Sequence, residues 1–245
     1  MKKMMILLSF LMLSVFVSGQ GESNVYWSMR MKPKMDKIGE LEKRLPVFLK
    51  THYPQLSFRV YEVITGENSG SFLVITGPFA MKDLDVPMVS PKGEALQKAD
   101  GLALSALCES SVVNMTRLQA DLSIPNPNRQ INYILATERQ YETGTWEEYS
   151  DILKKLKTAR EKAGSKMDIA YHTPTVSGTT NSFYHLRFLN SWAELDQTDN
   201  LAEMYDNAHG RAAWAKDVER LNAMTKVTKQ EMRVLRKDLS VTAVK

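Results

Sequence analysis

The sequence is short of cysteine, of charge imbalance and of long apolar runs. Its single cysteine, Cys108, excludes an internal disulfide. It falls in the apolar run GLALSALC, so a buried small hydrophobe is expected, and no neighbouring base points to a catalytic thiol. Histidines number only four, and no His, Cys, Asp and Glu grouping has metal-ligand spacing. Phosphate loops and nucleophile elbows are missing as well. Lys and Arg (32) nearly balance Asp and Glu (28). The two signs are interspersed instead of gathered on one face, which argues against nucleic acid as a partner. No low-complexity tract interrupts a composition that is 43% hydrophobic and 24% charged, the makeup of a folded globular protein.

The exception among apolar runs is at the start. Met1 to Gly19 has a basic beginning at Lys2-Lys3, an apolar run from Met4 to Val17 and small residues at Ser18-Gly19, the layout of a signal peptide cleaved before Gln20. The run is shorter than the ~17–25 residues of a spanning helix, so no stable membrane insertion is expected after cleavage. No cysteine follows it, which argues against a lipid anchor. Without Lys2 and Lys3 the count becomes 30 basic against 28 acidic residues. An exported chain without a disulfide points to a bacterial periplasmic or extracellular protein. Asn114-Met115-Thr116 is a formal glycosylation sequon, meaningful only in a eukaryotic source.

What is present is a repeat. Ser57 to Gly77, SFRVYEVITGENSGSFLVITG, and Met167 to Leu189, MDIAYHTPTVSGTTNSFYHLRFL, are runs of β-branched and aromatic residues broken by a polar turn, the pattern of a β-hairpin. They align without a gap. Phe72 falls on Phe183 and Leu84-Asp85 on Leu195-Asp196, a spacing of 111 residues.

Other elements follow the same order in each half. Asn24 to Met31 alternates as a strand and Met35 to Leu49 has helical periodicity, with Pro46 expected to kink or end the helix. After the first hairpin, punctuated by Gly77-Pro78, Ser90-Pro91 starts a helix over Glu94 to Glu109, and Val113 to Ile124 reads as a strand. Pro125-Asn126-Pro127-Asn128 separates a unit at 20–125 from one at 129–245. There Ile131 to Thr137 is a strand, Thr145-Trp146-Glu147-Glu148 is a capping box opening a helix, and the second hairpin follows. A helix over Leu201 to Met224, broken near Gly210, and a strand over Glu231 to Val241 complete it. The endings ADLSI and KDLSV echo one another.

This gives an α+β chain of two ferredoxin-like βαββαβ units. Two such units in one chain resemble the dimeric α/β-barrel superfamily, in which two sheets face each other and close a barrel with helices outside. The resemblance covers nearly all of the chain after the leader and rests on element order and duplication. Antibiotic-biosynthesis-type monooxygenases, haem-degrading enzymes, NIPSNAP-like proteins and stress-responsive barrels belong to that superfamily, so it implies a fold and not a reaction. A pseudo-dimeric barrel within one chain implies that a monomer suffices.

Candidate site residues come from assigning hairpin faces. Paired antiparallel residues share a constant index sum. Centring the second turn on Gly178-Thr179 makes that sum 357, and the 111 spacing then gives 135 in the first hairpin. One face then holds Ile169, Tyr171, Leu186 and Phe188, with Phe58, Val60, Leu73 and Ile75, and is expected under the helices. The other holds His172 opposite His185 and Ala170 opposite Arg187, with Tyr61 opposite Val74 and Arg59 opposite Thr76. In a closed barrel that face lines the interior, making His172, His185, Arg187, Arg59 and Tyr61 the candidates for a small, anionic or aromatic ligand. In an open sheet it is merely solvated. Two histidines are too few for a metal. His209, on the helix equivalent to one that ligates haem iron in some superfamily members, is the residue through which the resemblance allows haem, although a helix-end role explains it more simply. His52 reads as a loop residue. The functional expectation is small-ligand binding inside the barrel. The alternatives are an oxygenase-like enzyme, haem-dependent or cofactor-free, and a structural or interaction protein with a packed interior.

Overall fold

A computed structural model of the chain describes residues 23–85, 91–126, 129–176 and 181–244. The proposed signal peptide, Ser90 and Pro127-Asn128 lie outside them. The first half runs β1 (Val25–Pro33), α1 (Ile38–His52), β2 (Arg59–Val63), β3 (Phe72–Phe79), α2 (Pro91–Ser105) and β4 (Cys108–Leu118). The second runs β5 (Tyr133–Tyr141), α3 (Trp146–Lys162), β6 (Asp168–Val176), β7 (Ser182–Leu189), α4 (Leu201–His209), α5 (Ala213–Met224) and β8 (Thr225–Leu235). The strands close a barrel in the order β1-β3-β2-β8-β5-β7-β6-β4, every neighbour antiparallel. All eight come from one chain.

Helices cover the outside of the sheet, and the first part of β4, Glu109 to Val113, stays exposed. Outside the barrel, α1 and α2 press Leu41, Leu45, Leu49 and Leu104 onto Met31, Phe58, Val60, Phe72 and Val74. On the other half, α3, α4 and α5 bury Tyr149, Ile152, Tyr205 and Leu221 against Ile169, Tyr171 and Phe183. A third cluster, Tyr61, Leu73, Ile134 and Ala136 with Ile75, Leu186, Phe188 and Leu235, fills part of the barrel interior.

Several boundaries differ from expectation. The α1 helix does not end at Pro46 but continues to His52. The buried stripe of Leu41, Leu45 and Leu49 holds it, while Pro46 stands off that stripe, where the unserved Glu42 carbonyl can reach water. Thr145 caps α3 without a side-chain bond, its hydroxyl donating instead to the Glu142 carbonyl at 2.7 Å. The helix expected over Glu94 to Glu109 ends at Ser105, and β4 and β8 begin and end earlier than the predicted spans. The ADLSI and KDLSV segments lie beyond those strands, because their leucines are needed as plugs. Leu122 and Leu239 are both buried.

These endings cross between the halves. After β4, the Gln119 N–H donates to Tyr171 O at 2.8 Å, Ser123 Oγ accepts from Tyr171 N at 3.0 Å, and Ile124 bridges to Ile169 on β6. After β8, the Arg236 N–H donates to Val60 O at 2.8 Å, Ser240 Oγ accepts from Val60 N at 3.0 Å, and Val241 bridges to Phe58 beside β2.

Candidate functional site

The hairpin registers decide which side chains enter the barrel. Pairs such as Tyr171 with His185 and Ala170 with Leu186 have an index sum of 356, and Tyr61 with Leu73 has 134. Each is one less than the predicted value, and a one-residue slip turns one strand over relative to its partner. On β2 and β6 the assigned faces hold, since Val60, Ile169 and Tyr171 pack under helices while Tyr61 points inward. On β3 and β7 they are reversed. Leu73, Ile75, Leu186 and Phe188 belong to the interior, and Val74 lies under the helices.

Two candidates are therefore corrected. His185 stacks on Tyr171 with ring centroids 5.0 Å apart, in the layer beneath the helices, and its Nε2 is sealed without a partner among the described residues. Arg187 caps the short 3-10 turn Trp192–Leu195, donating to the carbonyls of Glu194 and, at 2.6 Å, Gln197. Neither faces the barrel interior. His172, Tyr61 and Arg59 do lie on interior-facing positions. His172 is buried, meets Thr116 Oγ1 through Nδ1 at 3.2 Å and sits edge-on to Tyr26 at 5.1 Å. Tyr61 packs in the apolar interior cluster, and Arg59 reaches the exposed end of β2 beside it.

The polar part of the interior is built by residues that the sequence reading passed over. Arg30 on β1, Glu138 on β5, Tyr184 on β7, and Lys229, Glu231 and Arg233 on β8 all turn inward, because their neighbours Met31, Phe183 and Met232 are taken up in buried packing. With Asn68 and Asn114 they line a pocket of about 390 Å³ at one mouth of the barrel. Glu231 Oε1 receives Arg30 Nη2 at 2.8 Å and Arg233 Nε at 2.7 Å, and its Oε2 receives Asn68 Nδ2 at 3.0 Å. Burial would push the Glu231 carboxyl up, but Arg233 and Arg30 outweigh it and hold the group down to about 2. Glu138, two residues along from Ala136 on the same face, is pushed up by burial against the pull of Lys229. Tyr184, paired with Glu138, is raised by burial and by that carboxylate. The signal that could have found this wall is Lys229, Glu231 and Arg233 at alternate positions of one strand, charges facing the inside of a barrel.

The buried imidazoles set a pH dependence. Burial first and Arg233 second lower His172 from 6.5 to about 4, and burial with Arg160, Arg139 and Arg187 lowers His185 to about 3. A folded-state pKa below the unfolded one means that the unfolded chain binds more protons below pH 6.5. The stability contributed by each neutral ring is complete above that pH and is lost as pH falls toward the folded value, at up to about 1.4 kcal/mol per pH unit and histidine. Urea unfolding between pH 7 and 4.5 should show this decline, and His172→Gln should flatten it by about one proton. An unchanged slope in that variant would mean that His172 is charged in the fold.

His209 ends α4 with its ring 4.7 Å from Tyr205 and Nε2 2.9 Å from the Lys155 carbonyl. That nitrogen is thus committed as a donor. In this arrangement Nε2 of His209 is spent on the backbone of α3. Among the described residues no group of three His, Cys, Asp or Glu could hold a metal ion.

No family model matches the sequence, and no curated protein matches it. Solved structures do. A protein named as a candidate monooxygenase from Lactobacillus acidophilus superposes with a TM-score of 0.54 at 13% identity, covering 91% of this chain and 97% of its own. An anthrone oxidase-like protein gives 0.57 at 10% identity over 91% and 95%. A mutant chlorite dismutase from Candidatus Nitrospira defluvii gives 0.56 at 8% over 89% and 93%. Likeness at this identity speaks for architecture alone, and with the closed eight-stranded barrel and its outer helices it establishes that the chain has the fold of the dimeric α/β-barrel superfamily.

Proposed function

We propose that the protein binds a small molecule in the pocket at the Arg30, Glu138 and Arg233 mouth of its barrel. The observation that carries this is an open cavity of about 390 Å³ lined by charged side chains, beside an apolar cluster that fills part of the same barrel. Its volume lies at the lower end of the ~300–1,000 Å³ typical of small-ligand sites. A screen of small organic acids, phenols and amines by thermal shift tests it. Ala136 lines the pocket, so Ala136→Met fills it from within. At least one class should raise the melting temperature of the wild type and not of the variant. Identical responses to every compound would overturn the reading.

An oxygenase-like enzyme without a cofactor is the second reading, favoured by Glu138. Its carboxyl lines the pocket, and burial raises its pKa, the direction that makes a carboxylate a stronger general base. The names of two structural neighbours, a monooxygenase and an anthrone oxidase-like protein, agree with that chemistry. Oxygen uptake with a phenolic substrate, abolished by Glu138→Gln, would establish it, and uptake unaffected by that change would dismiss it.

We infer also that the chain is a tandem duplication of ferredoxin-like units at 20–125 and 129–245. The two hairpin sums, 134 and 356, differ by 222, twice the repeat spacing of 111 residues. The same reading makes the mature protein an exported monomer, supported by the Met1 to Gly19 pattern and by a barrel that closes within one chain. One purification from the culture medium or periplasm checks both points. The mass should begin at Gln20, and sedimentation should give a single chain. A retained leader or an obligate dimer would count against it.

A further inference from the structure

The pocket has an internal charge order. Register between β5 and β8 sets Glu138 beside Lys229, Ala136 beside Glu231 and Ile134 beside Arg233, three successive levels on the interior face. Lys229 and Glu67 pair with each other at 3.0 Å on the exposed rim. Below them, one carboxylate, Glu231, serves two guanidiniums. Arg233 spends Nε and Nη2 on Glu231 Oε1, and no described residue takes its Nη1 donors although the side chain is only 8% exposed. Two guanidiniums, Arg233 buried and Arg30 partly open to solvent, share this one carboxylate, which leaves donors for a second anion at the cavity wall. The planar fork of a guanidinium matches a carboxylate in particular.

The rim offers the opposite group. Glu138 lines the cavity, where it feels the charges of Lys229 and Arg30 while Lys229 pairs directly with Glu67. The Glu138 carboxylate can only accept, so it calls for a donor on the ligand. Four residues separate its level from that of Ile134 and Arg233, ~13 Å along the strand before the side chains reach back into the gap. Ala136, small, lies between them, and Tyr184, paired with Glu138, supplies a flat wall. That span suits one substituted ring or a chain of similar length.

Resting on the pocket reading above, we propose that the site takes a small carboxylic acid bearing a hydroxyl at its far end. The carboxylate lies against Arg233 and Arg30, and the hydroxyl donates to Glu138. Calorimetric titration of the full chain with 4-hydroxybenzoate, benzoate and 4-hydroxybenzyl alcohol tests each end. The hydroxy acid should bind, benzoate should bind about tenfold more weakly for want of one hydrogen bond, and the alcohol at least about a hundredfold more weakly. Glu138→Ala should erase the preference of 4-hydroxybenzoate over benzoate. Arg30→Gln should weaken both acids alike. Equal affinities for acid and alcohol, or a hydroxyl preference that survives Glu138→Ala, would overturn the proposal. If the alcohol binds as well as the acids and Ala136→Met abolishes all three, the pocket stands and the acid assignment falls. Failure of all three probes to bind refutes the acid assignment and leaves the pocket to the wider screen.

Discussion

Replacing Glu231 with alanine should destabilise the protein by about 3–5 kcal/mol, because it strands a buried guanidinium without its counter-ion. Arg233 is only 7% exposed, and the two of its nitrogens that have partners both bond Glu231. Arg30 is better placed to recover, since it reaches Ser71 Oγ at 3.3 Å and is partly open to solvent. The asymmetry between breaking a buried pair and removing it whole provides the control. The double change Glu231→Leu with Arg233→Met takes both charges out together, and should recover most of the loss. Urea denaturation of the two variants at pH 7 measures the contrast. A mild loss in Glu231→Ala would show that water already reaches Arg233 and that the charge order of the pocket is weaker than its geometry suggests.

Phe183→Ala should cost about 3–5 kcal/mol by a different route, the opening of a cavity in a ring-packed layer. Phe183 is 1% exposed, and its ring lies 4.9 Å from Tyr149, 6.1 Å from Tyr171 and 6.5 Å from Tyr141, centroid to centroid. Rigid tyrosines anchored in α3, β5 and β6 cannot collapse into the space. Leu186→Ala, on the same strand but turned to the interior, should cost less, since Leu186 is half-buried. Guanidinium melts of the pair therefore test the face assignment directly. Leu186→Ala proving the more damaging would restore the faces expected from sequence.

Why that expectation failed on β7 is instructive. An alternating pattern identifies the core face of a sheet only when the other face is wet. Here Phe183 and Leu189 point to the helices while Leu186 and Phe188 point into the barrel, so hydrophobicity occurs in both phases and cannot set the register. What remained legible was the pairing of similar sequences. The element order, the hairpins and the break near Gly210 could all be read from local signals such as turn residues and spacing. Ends of strands could not. ADLSI and KDLSV have strand composition, yet Leu122 and Leu239 leave the ladder to plug the outer cores, a decision made by tertiary burial. The charged wall was hidden for a related reason. Glu231 and Arg233 look like ordinary solvent-facing residues until the strand that carries them is known to close a barrel.

The crossed endings bear on cooperativity. The backbone amide of Tyr171, in the second half, finds its acceptor on Ser123 of the first, while that of Val60, in the first, finds its acceptor on Ser240 of the second. Neither half can satisfy its own β2 or β6 amide in isolation. Melting one half exposes an orphaned donor and a vacated leucine socket in the other, at Leu122 or Leu239, so each half's loss is charged to its neighbour. The molecule should therefore come apart in a single transition, and two half-chains made separately should recognise one another through these exchanged ends.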